Sequence, residues 1–149
     1  MKKIKVLLAL IGFALMATMT PLASHADDTA VAVAIDVSPN VINIGSSSTW
    51  VTVHADIPYD VVNASSVVLI VGLSTFSNDL CFADDRGNLV AKFDINVVKK
   101  QLKDLGTIDD LFTFALSGLT KAFDGNAQVP FYGEQDIRVF DNSGKPGKM

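Results

Sequence analysis

Short runs in which apolar and polar residues alternate, separated by turn-forming residues, dominate the chain after position 26. The run 30–37 has a period of two, which places four β-branched residues on one face: Val31, Val33, Ile35 and Val37. The run 49–57 repeats the pattern and places His54 and Asp56 on the face opposite its valines. Period-two alternation of this length is typical of β-structure, so both runs are predicted to be strands.

Further strands are predicted at 41–44, 67–71, 80–83, 89–93, 111–119 and through Ile137 and Val139. One segment has a helical pattern instead, in which Asp94 can cap the helix and Lys99, Lys100 and Lys103 face water. The fold class is therefore all-β. We expect an immunoglobulin-like antiparallel β-sandwich of about seven to eight strands with one short crossover helix.

The first 26 residues have the three parts of a secretory signal peptide. Lys2, Lys3 and Lys5 supply the positive charge, residues 6–17 are apolar, and Ser24-His25-Ala26 forms the small-x-small cleavage site. Residues 27–141 are then predicted to form the sandwich domain. Residues 142–149 are polar and contain glycine and proline, so we expect a flexible C-terminal tail.

Cleavage would leave nine Lys and Arg against 16 Asp and Glu, a net charge of −7 on the mature chain. Such a balance opposes contact with phosphate backbones, so no nucleic-acid partner is expected. The remaining sequence has no apolar stretch of spanning length, which predicts no stable membrane insertion after cleavage. We expect an exported protein that works in the periplasm, at the cell surface or outside the cell.

Catalytic patterns are missing from the mature sequence. His54 is its only histidine, and no G-x-S-x-G sequence exists to position a nucleophilic serine beside it. There is no phosphate-binding glycine loop and no zinc-ligand spacing either. We therefore predict that the chain is not an enzyme and carries no cofactor.

Two features could still support a metal or redox role. The acidic turn offers Asp84, Asp85 and Asn88 as weak calcium ligands, although its register does not match a calcium-binding loop. Cys81 is the single cysteine, so it cannot form an internal disulfide. Its strand-like surroundings favour a buried small hydrophobe, with an intermolecular disulfide or a reactive thiol as alternatives.

Ligand and partner sites are predicted from aromatic and strand-forming residues. Exposed rings could form a carbohydrate platform, for which the candidates are Trp50, Tyr59 and Tyr132, with Phe131 alongside. The first strand lies beside the mature terminus and has few charges to protect an edge. Its apolar residues, Val31, Val33, Ile35 and Val37, could therefore pair with a neighbouring subunit, or the strand could complete its own sheet.

Three segments resemble an immunoglobulin-like β-sandwich repeat of prokaryotic secreted and cell-surface proteins. They are Ala34–Pro39, which is similar to an I-D-I-x-P start, Gly87–Asp94, similar to a D-L-x-V-K-F-D strand, and Phe131–Val139, similar to an F-x-G-x-D-x-I-R-V end. The resemblance implies a non-catalytic module found in envelope or extracellular proteins. The sequence therefore predicts a secreted or envelope interaction protein that contacts a protein partner or itself, with a small carbohydrate-binding module as the alternative.

Overall fold

The computed structural model describes residues 30–106, 109–122 and 125–143. The predicted signal peptide and residues 144–149 of the predicted tail lie outside the described residues. The elements in chain order are β1 (Val31–Ala32), β2 (Ile35–Ser38), β3 (Val41–Asn43), β4 (Trp50–Pro58), a single 3-10 turn (Tyr59–Val61), β5 (Val62–Val71), β6 (Ser74–Ser77), β7 (Leu80–Ala83), β8 (Asn88–Asp94), α1 (Ile95–Asp104), β9 (Asp110–Thr120) and β10 (Pro130–Phe140).

These strands form two packed sheets. Sheet A has the order β1-β10-β9-β5-β6, and β3 pairs with β10 further along the same edge as β1. Sheet B has the order β2-β4-β8-β7. All pairings are antiparallel except those of β1 and β3 with β10. Sheet B corresponds to immunoglobulin strands A-B-E-D and sheet A to G-F-C with an added strand, which confirms the predicted fold class.

The core lies between the sheets and is built by strand alternation. In β4, Val51, Val53, Ala55 and Ile57 are buried while the residues between them face outward. Three phenylalanines fill the centre with aliphatic neighbours, one each from β8, β9 and β10: Phe93, Phe114 and Phe131. Burying each such side chain stabilises the fold by about 1.5 to 3 kcal/mol, so the core holds together without a disulfide.

The N-terminal run 30–37 is two strands rather than the single strand predicted. After β1 has paired with β10, the Val33 N–H donates to the Tyr132 carbonyl at 2.9 Å, and the chain then crosses to sheet B. There the Ala34 carbonyl accepts from the Asp56 N–H at 2.9 Å and β2 pairs with β4. Gly133 permits the crossing, since a Cβ there would lie 2.4 Å from the Val33 oxygen.

Helix α1 carries the chain from β8 in sheet B to β9 in sheet A, which confirms a crossover helix. Asp94 caps it as predicted, because its Oδ1 accepts from the Asn96 N–H at 2.8 Å. The prediction that Lys99 faces water is wrong. Lys99 is buried, and its Nζ donates to the carbonyl and hydroxyl oxygens of Ser46 at 2.7 and 2.9 Å. It lies one turn after Ile95, at the border of the apolar face.

Candidate functional site

The outer face of sheet B has polar and apolar halves. Strand pairing sets its side chains in rows: Ser38, Thr52, Lys92 and Leu80 form one row, and Asp36, His54, Val90 and Phe82 form the next. The side of β2 and β4 is therefore polar, whereas the side of β7 is apolar. We call this surface the sheet B face.

The apolar half of the sheet B face is centred on β7. Leu80 is 50% exposed and Phe82 lies beside it, with the Lys92 ammonium nitrogen 5.6 Å from the centre of its ring. Val90 is only 1% exposed although it is on an outward-facing position. Its neighbours in the row are His54 and Phe82, whose larger side chains can cover it. The apolar half is therefore a continuous packed surface rather than a set of isolated side chains.

The polar half ends in a shallow depression of about 480 Å³. Its charged and polar lining consists of Asp36, His54, Asp56, Asp84, Arg86 and Asn88. Three carboxylates thus surround one imidazole and one guanidinium. The depression is acidic on balance and favours a ligand or partner group that carries positive charge.

The Asp84 carboxylate holds the turn between β7 and β8. Its Oδ1 accepts from the backbone N–H groups of Arg86 and Asn88 at 2.8 and 2.9 Å. The Asn88 bond is the main reason that the pKa of Asp84 lies below its ordinary value, and the bond from Arg86 and the charges of Arg86 and His54 add to it. Asp84 is therefore already used as a turn acceptor.

Of the three calcium candidates, Asp84 and Asn88 line the depression, whereas Asp85 is exposed outside it. The Asn88 amide also donates to Asp56 Oδ1 at 3.3 Å. Within the described ranges, no group of three or more His, Cys, Asp and Glu side chains is placed to hold a metal ion. Calcium binding at Asp84, Asp85 and Asn88 stays a prediction.

The aromatic candidates do not share one platform. Trp50 is 40% exposed on the sheet B face, whereas Tyr132 points outward from β10 in sheet A, on the opposite side of the sandwich. Tyr59 is partly buried against the core, and Phe131 is fully buried. A ring platform for glycans could therefore use Trp50 or Tyr132 but not both.

The N-terminal residues offered for strand pairing are bonded within their own chain. Val31 is exposed, Val33 and Ile35 are partly buried, and Val37 is buried in the core. The Val37 N–H, on β2, donates to the Gln135 side-chain oxygen at 2.7 Å, which links the two sheets. In this structure the segment completes its own sandwich, which is the alternative that the sequence left open.

Cys81 faces the core from β7 and its Sγ lies 4.0 Å from the Ala64 carbonyl oxygen. Burial raises the pKa of its thiol to about 11. At neutral pH the group is a thiol rather than a reactive thiolate, which favours the structural interpretation over a redox role.

Comparison with protein-family models, with curated proteins and with solved structures finds no match. In the part of the chain that is described, the helix is too short and too polar to cross a membrane. The sheet B face was not predicted as a site from the sequence. The alternation of Leu80 and Phe82 with Cys81 was its signal, because β7 has exposed apolar residues where an ordinary edge strand has polar ones.

Proposed function

We propose that this chain is an exported, non-catalytic β-sandwich that binds a protein partner through its surface. The observation that carries the proposal is the sheet B face, where Leu80 and Phe82 are exposed on β7, the strand that Asp84 of the acidic depression follows. Contiguous exposed apolar groups with a charged rim are typical of protein interaction sites.

The position of β7 indicates what kind of partner fits. β7 is the last strand in the order of sheet B, so its second edge pairs with no strand of the described chain. Carboxylates stand at both ends of β7, from Asp79 before it and Asp84 after it. An extended partner segment with alternating apolar residues and flanking basic residues would extend the sheet and match these charges.

The same charges oppose pairing of β7 with β7 of a second copy. An antiparallel arrangement would bring Asp79 of one chain toward Asp84 of the other, and like charges in register are unfavourable. The sheet B face is therefore proposed as a surface for a different, cationic protein rather than for self-association.

Leu80→Asp tests this assignment, with Val41→Asp as the matched control because Val41 is similarly exposed on β3, which pairs with β10 in sheet A. Proteins cross-linked to the mature wild-type chain in intact cells should be recovered with Val41→Asp and lost with Leu80→Asp. The proposal fails if wild type, Leu80→Asp and Val41→Asp recover the same proteins.

Export is supported by the signal-peptide pattern of residues 1–26. Mass spectrometry of the protein from fractionated cells should find a mature chain that begins at Asp27. An uncleaved chain that remains in the cytoplasm would contradict export.

Glycan binding is the second candidate, favoured by the exposed ring of Trp50 beside hydrogen-bonding groups of Thr52 and Asp94. On a panel of immobilised polysaccharides, Trp50→Ala should abolish retention, whereas Tyr132→Ala should not. Retention that survives Trp50→Ala would remove Trp50 as the platform.

Pairing of the N-terminal strand with a neighbouring subunit also stays a proposal. It would require residues 31–37 to leave β10 and β4 of their own chain and to occupy the same places in another. A mature chain that lacks residues 27–37 should then lose higher oligomers and leave an incomplete domain. A well-folded shortened chain with unchanged assembly would refute strand exchange.

A further inference from the structure

The outer face of sheet A differs from the sheet B face because the outward-facing residues of three of its strands, β5, β6 and β9, carry no charge. The outward residues of the described strands β5, β6 and β9 are Val68, Ile70, Thr75, Ser77, Leu111, Thr113, Ala115 and Ser117. We call this surface the sheet A face. Charged residues border it at the start of β9, with Asp110, and on β10, with Glu134, Asp136 and Arg138.

An uncharged surface of this size is unexpected on this chain. The protein has 16 acidic residues, and the sheet B face and its hairpin alone expose Asp36, Asp56 and Asp85. The sheet A face is made of small or medium side chains, so its strands can approach another surface closely. The two carboxylates nearest to it are already bonded, Glu134 to the Tyr132 hydroxyl at 2.8 Å and Asp136 to the Thr113 hydroxyl at 2.7 Å.

Leu73 projects from the hairpin that ends this face. β5 and β6 are joined by Gly72 and Leu73, and Gly72 has the positive φ of 61° that the first position of such a turn requires. Leu73 is fully exposed. The turn would accept a polar residue at this position equally well, so the fold itself gives no reason for a leucine there.

A depression of about 310 Å³ lies directly beside this leucine. Gly72 forms one end of it, and Ile70, Leu111, Ala115 and Tyr132 contribute to its walls. Leu111 is itself 63% exposed. The sheet A face therefore carries both an apolar projection and an apolar recess, side by side on one surface.

We infer that the sheet A face is a self-association interface at which a second copy of this chain docks with two-fold symmetry. A two-fold axis near Gly72 would place Leu73 of each copy over the recess of the other, so one surface supplies both halves of the contact. This second interface is separate from the one proposed on the sheet B face.

Charge is the reason that the occupant is another copy. Two acidic chains repel each other wherever carboxylates meet, and the sheet A face is where the described residues avoid that repulsion. The three strands β5, β6 and β9 have 25 residues in all, and at about 3.3 Å per residue and about 4.8 Å between strands they cover about 400 Å² per copy. The total of about 800 Å² is below the size of stable specific interfaces, so the dimer should be weak and concentration-dependent.

Sedimentation equilibrium of the mature protein, in reductant so that Cys81 cannot cross-link, tests the inference. The wild type should change from monomer to dimer across a concentration series from about 1 μM to about 1 mM. Leu73→Asp should raise the dissociation constant about tenfold or more, because it removes a buried leucine and adds like charges at the axis. Thr75→Asp should also raise the dissociation constant, because it adds a negative charge to the same face of each copy. The matched control Leu80→Asp, on the sheet B face, should dimerise as the wild type does.

Methyl NMR provides a second measurement that does not depend on a variant. The signals of Ile70, Leu73 and Ala115 should shift with protein concentration, while those of Leu80 on the other sheet should not. A wild type that stays monomeric at about 1 mM overturns the inference, and so does a dimer that Leu80→Asp abolishes and Leu73→Asp leaves intact. Neither result affects the partner test on the sheet B face, which compares captured proteins rather than mass.

Discussion

Replacing Gly133 by alanine should loosen the N-terminal segment from the sandwich. A Cβ at this position would lie 2.4 Å from the Val33 carbonyl oxygen and 2.7 Å from Cγ2 of Ile35. Contacts of Cβ shorter than 3.0 Å essentially never occur, and the first of these two atoms belongs to the backbone. The crossing segment must therefore move away from β10.

The expected loss of stability follows from what that movement breaks. Two hydrogen bonds are at risk, from the Val33 N–H to the Tyr132 carbonyl and from the Val37 N–H to the Gln135 side chain. Each contributes about 1 kcal/mol, and overpacking adds about 1 to 3 kcal/mol. Alanine offsets about 0.4 to 1 kcal/mol by reducing the entropy of the unfolded chain. The net cost should be about 2 to 5 kcal/mol.

Equilibrium unfolding in urea measures this cost, and hydrogen exchange of residues 31–37 locates it. Gly45→Ala is the control, because its Cβ would have no neighbour closer than 3.5 Å and should change the free energy of unfolding by less than about 0.5 kcal/mol. A Gly133→Ala variant as stable as Gly45→Ala, with unchanged exchange at Val33, would refute the close-approach argument.

Three further predictions concern titratable groups. The pKa of the Cys81 thiol is raised from 9.0 to about 11, so at pH 8 the thiol should react with a disulfide reagent about 100-fold more slowly in the folded chain than in urea. The free energy of unfolding should also fall as pH rises from 9 to 11 in the wild type but not in Cys81→Ala. Equal reaction rates in the folded and unfolded chains would contradict burial of the thiol. The pKa of Asp84 is lowered on folding, so Asp84→Ala should be less stable than wild type at neutral pH. The difference in free energy of unfolding between the two should shrink as pH falls and the wild-type carboxylate becomes protonated. A difference that does not change with pH would assign the loss to packing. Burial, and secondly the charge of Lys103, lower the pKa of Lys99. In an NMR titration, Lys103→Gln should therefore raise the pKa of Lys99 only part of the way toward its ordinary value. An unchanged pKa would show that burial alone lowers it.

Local pattern was sufficient to predict much of the fold. The run 49–57 alternates along its whole length, and β4 spans Trp50–Pro58 with the predicted residues inward. The prediction that Asp94 caps α1 is also confirmed, because a cap depends only on residues within one helical turn. In contrast β6, Ser74–Ser77, was not predicted because it is mostly polar and becomes a strand by pairing with β5.

Candidate sites were predicted less well, because exposure depends on residues that are distant in sequence. Trp50 and Tyr132 are both on outward positions of strands, yet they belong to different sheets and cannot act together. Leu73 was not predicted as a site, because its complete exposure beside a recess depends on where β9 and β10 lie.

By itself the sequence determined the all-β class, the inward faces of the long strands and the capped helix, since period, capping and turn formation are properties of neighbouring residues. Only the tertiary structure decided that residues 31–38 divide between two sheets, because that division depends on Gly133, about a hundred positions away. It also placed Lys99 against Ser46 and left one sheet face uncharged. The exposure of a side chain and the charge around it depend on neighbours that are distant in sequence and are brought together by strand pairing. The residue pattern of a single strand therefore cannot predict them.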